Sequence, residues 1–232
     1  MMRVEALMVA LLFGGCTGSG EDTNRSGFPP ADRPVSDIIS SQFSDEETRD
    51  RLNEAETVMD MADIEEGMTV ADIGAGNGYY TVRLARRVGD SGRVLAEDVI
   101  AETRDRLAER VTRERLDNVS VRLGEFADPK LPENSFDRIF MVHMYHEIES
   151  PYEFLWNMRP SLRPEGLVVV VDADRPTNRH GTPPDLLRCE FEAVGYHLVA
   201  FREMPDAGGY FSMFAARGER PEPQSIEACG QD

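Results

Sequence analysis

The residues best placed to do chemistry begin with Asp72 in Val70-Ala-Asp-Ile-Gly-Ala-Gly-Asn-Gly78, where Gly74, Gly76 and Gly78 recur at every second position. The amphipathic segment Tyr79 to Val88 follows at once. This pattern predicts a strand, a tight turn and a helix start. Glycine permits positive φ and lets a ligand approach the backbone, here that of Gly74, Ala75, Gly76 and Gly78. Free N–H groups at the helix start favour the negative end of that ligand. A second acid, Asp98, closes the next apolar run, Val94-Leu-Ala-Glu-Asp98. One carboxylate can accept two hydrogen bonds, which suits a pair of hydroxyls. Glu97 competes for this role, but strand alternation points it the other way, which favours Asp98. Two histidines, His143 and His146, lie at the exit of a later apolar run, beside Tyr145 and Glu147. An imidazole near its ordinary pKa suits proton removal at neutral pH. The same residues could also simply pack and hydrogen-bond locally. His180 and His197 look ordinary, one in a loop and one in a late strand.

Spacing separates two kinds of nucleotide site. A dinucleotide fingerprint reads G-x-G-x-x-G, whereas this turn reads D-x-G-x-G-x-G. The latter resembles motif I of the class I S-adenosylmethionine (SAM) dependent methyltransferases. Further segments fall in that family's order. Val119 to Asp128 resembles the third strand and the loop that holds adenine. Ser135 to His146 resembles the fourth strand and its exit, and Leu162 to Asp172 the turn into the fifth. The resemblance runs from Met68 to Ala216 and is closest to small-molecule enzymes of the quinone- and arsenite-methylating type. It implies an α/β, Rossmann-like fold: a seven-stranded sheet, mostly parallel with an antiparallel C-terminal strand, with helices on both faces. It implies SAM as cofactor, with Asp72 and the backbone of Gly74 to Gly78 holding the methionine part. Asp98 would hold the ribose, and Glu125 with the Phe126 backbone would face the adenine edge. Asp128 is an alternative there, because this loop departs from the family's usual Gly-Asp-Ala. His146 is the preferred base over His143, since similar proteins often carry histidine at this exit. The implied reaction is methyl transfer to a small-molecule or lipid-like acceptor. The alternative is a non-catalytic SAM-binding sensor or scaffold on the cell envelope. A nicotinamide-dependent oxidoreductase fits the glycine spacing poorly.

The chain has 232 residues, 41% of them hydrophobic, enough for one domain with a sizeable core. Acids outnumber bases 43 to 25, giving a formal charge of −18, which repels nucleic-acid backbones and argues against that substrate class. Ala6 to Phe13 is apolar but too short to span a bilayer. With Gly14-Gly15-Cys16 it resembles a bacterial lipoprotein cleavage box. Phe13 stands where leucine is usual, and the only base before the apolar run, Arg3, is offset by Glu5. This resemblance implies a signal peptide over residues 1–15, a lipid anchor on Cys16 and an envelope location. The alternative is a cytoplasmic chain with an apolar N-terminus. Cys189 and Cys229 could pair in an oxidising envelope, but the polar stretch around Cys229 favours two unpaired thiols, and no Cys/His spacing points to a metal.

Composition then divides the chain. Residues 16–34 read as a flexible linker. Residues 35–62 read as a helical extension whose inner face carries Leu52, Ala55, Val58 and Met61. Residues 63–217 form the methyltransferase-like domain, and 218–232 a disordered polar tail. Ser150-Pro-Tyr-Glu153 reads as a capping box, and Pro160 should end the helix it opens. Met204 to Gly209 reads as the turn of a hairpin.

Overall fold

A computed structural model of the chain describes residues 27–38, 46–205 and 209–230. The leader expected over residues 1–15, Cys16 and the tip of the expected hairpin lie outside the described residues. Among the described residues, no helix is long and apolar enough to cross a membrane.

The strands in chain order are β1 (Thr69–Ile73), β2 (Arg93–Asp98), β3 (Val119–Leu123), β4 (Phe136–Val142), β5 (Leu162–Asp172), β6 (Tyr196–Met204) and β7 (Gly209–Ala216). The helices are α1 (Glu46–Arg51), α2 (Glu54–Met61), α3 (Tyr79–Val88), α4 (Ala101–Glu114), α5 (Pro151–Met158) and α6 (Pro184–Ala193). The seven strands form one sheet in the order β3-β2-β1-β4-β5-β7-β6. All pairings from β3 to β5 are parallel, and β7 runs antiparallel to both neighbours. This is the expected architecture. The chain order reverses between β1 and β4, and a crevice over the carboxyl ends at such a switch point is where open α/β sheets bind ligands.

The central strands explain the core. The run Val168 to Val171 in β5 is buried on both sides, as a strand covered by helices on each face requires. Val168 and Val170 join Ile73, Ile139 and Phe191 in one core, while Val169 and Val171 join Val58, Leu84 and Phe140 in the other. Strand alternation therefore divides the apolar residues between two helical layers. Helix α5 begins with Pro151 at its first turn and ends at Met158, two residues before Pro160. Ser150 makes no side-chain cap bond, so the expected capping box does not form.

Three expectations from composition need correction. The extension is broken at Asn53, whose φ of 52° interrupts the helix between α1 and α2. Leu52 is thereby left 43% exposed, whereas Ala55 and Val58 are buried. The linker is anchored in its second half. Arg33 Nε lies 2.9 Å from Glu190 Oε1 with both side chains fully buried, and Tyr145 donates its hydroxyl to Glu190 at 2.7 Å. Phe28 packs edge-on against Trp156.

The tail is also ordered over its described residues. Trp156 Nε1 donates to the Pro221 carbonyl at 2.9 Å, and the Arg220 guanidinium stacks over the same indole. Cys229 is disulfide-bonded to Cys189 in α6. Its N–H donates to the Tyr152 hydroxyl at 2.6 Å. The two cysteines are thus a pair, not free thiols. A single tryptophan and one bridge hold a segment whose own composition could not.

Candidate cofactor and active site

Gly74, Gly76 and Gly78 carry φ values of 65°, 55° and 86°, the left-handed region where a Cβ is disfavoured. The turn is tied to β2, with Ala75 N–H donating to the Glu97 carbonyl at 2.9 Å. A cavity of about 360 Å³ opens over this turn. It is lined by Gly74, Ala75, Gly76, Glu97 and Asp98 and by Ile38, Val142, His143, Met144, Ile148 and Phe154. Gly78 does not line the cavity; a Cβ there would come within 2.5 Å of Leu107 on α4, so its role is helix packing.

Asp72 also lies outside the lining. It is buried behind the turn, accepts a hydrogen bond from Thr81 Oγ1 at 2.5 Å, and its pKa is pushed by burial up to about 6. It anchors the start of α3. The sequence reading placed it against the ligand; in the structure it stands behind the lining and supports the turn that borders the cavity.

The two acids at the end of β2 both reach the cavity. Alternation along a strand separates its two faces, but this cavity sits over the strand's end, where residues from either face can reach it. Their environments differ. Asp98 Oδ2 accepts from Gly76 N–H at 3.0 Å and Oδ1 from Ile100 N–H at 2.9 Å, so it braces the glycine turn and the start of α4. Glu97 is 1% exposed, and its Oε1 has no hydrogen-bond partner among the described residues. Burial, with Asp98 adding repulsion, pushes the Glu97 pKa up to about 8. Space for this side chain comes from Gly124, where a Cβ would fall 1.4 Å from Glu97 Oε1. A buried carboxylate oxygen without a donor is costly and fits a ligand carrying hydroxyls.

The adenine-side residues separate. Phe126 lines the cavity although it is 60% exposed. Glu125 does not line it; its exposed carboxylate pairs with Lys130 Nζ at 3.3 Å. Asp128 pairs with the same ammonium at 3.0 Å and accepts from Lys130 N–H. Lys130, the only lysine, therefore draws both acids outward.

The two histidines also part company. His143 lines the cavity with a φ of 55°, a conformation costing a non-glycine residue about 1–3 kcal/mol. Its N–H donates to the Val171 carbonyl at 2.8 Å, which holds the turn in place. Its Nε2 lies 3.4 Å from Glu54 Oε1. Burial would raise the Glu54 pKa, but His143 and Arg49 outweigh it and hold the carboxyl down at about 2. Arg49 reaches Glu54 through two nitrogens and lies 3.9 Å from the centre of the Tyr79 ring. His146, by contrast, is fully buried outside the lining, with Nδ1 at 3.0 Å from Asp172 Oδ1. Of the two histidines it is thus His143 that lines the cavity, while His146, the base the resemblance favours, lies outside the lining.

Sequence reasoning missed Arg49, Glu54 and Tyr79 altogether. Glycine at position 124 was the one signal that could have favoured Glu97.

A glycine turn beside a buried acid, one of whose oxygens has no partner among the described residues, at the switch point of such a sheet suits a nucleotide-type cofactor on a methyltransferase-like fold. The family described as "Methyltransferase domain" matches residues 71–170. A ubiquinone/menaquinone biosynthesis C-methyltransferase from Enterobacter sp. (strain 638) is 27% identical over 184 residues, covering 75% of this chain and 68% of the relative. A protein-L-isoaspartate O-methyltransferase from Methanothrix thermoacetophila is 32% identical over 111 residues, and this chain spans half of that relative's length. Among solved structures, a SAM dependent methyltransferase from Aquifex aeolicus aligns with a TM-score of 0.63 and 26% identity, covering 74% of this chain and 97% of that one. Fold and matches together identify a SAM-dependent methyltransferase domain, with S-adenosylmethionine as its cofactor.

Proposed function

We propose that the protein transfers a methyl group from SAM to a small, largely apolar or lipid-like acceptor. The observation that carries this is the cavity itself, lined by Glu97 and the glycine turn together with the apolar side chains of Met144, Ile148 and Phe154. The residues fit the cofactor: the Glu97 oxygen without a partner among the described residues suits the ribose hydroxyls, and the backbone of Gly74 to Gly76 borders the cavity where the methionine part would lie. When bound, SAM supplies a methyl group on a good leaving group, so alignment and exclusion of water are the protein's main tasks. His143 is the candidate base for an acceptor proton, and Glu54, held by Arg49 and Tyr80, orients its ring. The quinone-pathway relative lends weight to an apolar acceptor.

The reading extends to location. The Ala6 to Cys16 segment supports export and lipid anchoring at Cys16. The Cys189–Cys229 bridge is in keeping with an oxidising compartment. The test incubates the full chain with methyl-labelled SAM and lipid extract from its own host. Label should move into the organic phase, and His143→Ala should lose most of that transfer while keeping SAM affinity. Tight SAM binding without transfer to any extract fraction would favour the sensor reading instead.

A further inference from the structure

Behind the cavity wall lies a second cluster that methyl transfer does not explain. His146 sits in the short turn Tyr145–Glu147 that follows β4, and its ring is fully buried. Its Nδ1 faces both oxygens of Asp172, at 3.0 and 3.1 Å. That carboxylate is fully buried at the end of β5 and accepts two further bonds, from Thr182 Oγ1 and from Ala173 N–H, each at 2.8 Å. A carboxylate with these partners fixes the proton on Nδ1. In that neutral tautomer the other nitrogen, Nε2, presents its lone pair, and it has no hydrogen-bond partner among the described residues. The ligand atoms of His146, Glu147 and His180 all lie within 4.8 Å of one another. The two imidazoles meet nearly at right angles, with ring centres 5.5 Å apart.

The surroundings hold this arrangement. Ser36 N–H donates to the His146 carbonyl at 3.2 Å, and the Ser36 hydroxyl accepts from His180 N–H at 3.3 Å. The same hydroxyl donates to the Thr177 carbonyl. Thus one serine from the N-terminal segment ties the histidine turn to the loop that carries His180. Gly181 lets that loop close, since a Cβ there would lie 2.4 Å from the Ala173 carbonyl.

We propose that His146 Nε2, His180 and Glu147 form a binding site for a divalent transition-metal ion, with zinc the best match. Two imidazoles and a carboxylate suit zinc, and three protein ligands leave a coordination position open. Asp172 is the outer-shell carboxylate that orients a metal-bound histidine and sharpens its basicity. A metal ion also resolves what a purely packed histidine leaves unresolved, a buried lone pair with no donor. Zinc ligands lie at about 2.0–2.2 Å from the ion, a span the three atoms can close on from separations within 4.8 Å. Glu147 also lines the cavity, so the site borders the space an acceptor would enter. An acceptor hydroxyl or thiol ligated there would release its proton to water and remain as the anion, the form that accepts a methyl group. The spacing of the ligands explains why the sequence hides the site, because His180 comes from a loop across the sheet's end.

The test uses the folded full chain, stripped with a chelator and titrated with zinc against a chromophoric competitor, and separately with cobalt followed by visible absorption. One equivalent should bind, with the strong d–d bands of a low-coordinate cobalt ion, and zinc should raise the melting temperature. Asp172→Asn should weaken zinc by roughly 10–100-fold. His180→Ala and Glu147→Gln should weaken it at least as much, while His197→Ala should not. SAM affinity is measured in parallel, so a failure here is distinguishable from a failure of the cofactor assignment. Substoichiometric zinc on a native chain that still binds SAM would overturn the site. So would His180→Ala protein that binds zinc as tightly as the native chain.

Discussion

Glu97 gives the most exacting test of the cofactor site. Its pKa is pushed to about 8 by burial and by Asp98, so at pH 7 about nine-tenths of the ligand-free protein carries it protonated. Two ribose hydroxyls donating to the carboxylate would favour its charged form. Binding must then expel a proton. SAM affinity should accordingly rise with pH, by close to tenfold per unit at the steepest, and level off above about pH 8. Glu97→Gln should abolish that dependence. At pH 8.5, Glu97→Ala should weaken SAM by about 1.5–3 kcal/mol, roughly 10- to 150-fold, the scale for hydrogen bonds to a charged group. Asp98→Ala should act differently. It frees the N–H groups of Gly76 and Ile100, so it should cost about 1–3 kcal/mol of stability and less SAM affinity than Glu97→Ala. Calorimetry in buffers of different ionisation enthalpy reads both the affinity and the proton released. A larger loss of affinity for Asp98→Ala than for Glu97→Ala, or an unchanged pH dependence in Glu97→Gln, would refute the reasoning.

Two further expectations concern the segments that composition misjudged. Arg33→Ala leaves Glu190 charged and buried, which should cost about 3–5 kcal/mol in denaturant unfolding; Arg33→Ala protein as stable as the native chain would show that the N-terminal segment is not part of the fold. The Cys189–Cys229 bridge closes a separation of 40 residues, for which chain entropy allows about 4 kcal/mol. Reductant, or Cys229→Ala, should lower the unfolding midpoint accordingly, and a midpoint indifferent to reductant would show that the bridge does not form.

What was legible in the sequence is what short-range periodicity encodes. The strand, glycine turn and helix start from Val70 to Val88 are local, because an apolar run, left-handed glycines and an amphipathic face need no distant partner to be recognised. The alternation of such units implied a parallel sheet, whereas the crossover that sets β4 beside β1 and the insertion of β7 between β5 and β6 are not encoded locally. The antiparallel β7 is, by contrast, a hairpin partner of β6, adjacent in the chain.

The site's finer arrangement was not legible where local rules stop. Alternation decides which face a residue takes inside a strand, but Glu97 and Asp98 stand at its end, where the next partners decide. Asp98 is claimed by the backbone of Gly76 and Ile100, and Glu97 is left facing the cavity in a space that Gly124 clears from another strand's exit. The same logic divides His143 from His146. Both leave β4 within one turn, yet a positive φ aims His143 at the cavity while Asp172, contributed by β5, captures His146. Polar partners of this kind come from residues far apart in the chain. A buried carboxylate or imidazole is therefore assigned by asking which of its hydrogen-bonding atoms the fold has already satisfied. Glu97 Oε1 and His146 Nε2 are two such atoms near this sheet's end that have no hydrogen-bond partner among the described residues, and each is where a ligand is best sought.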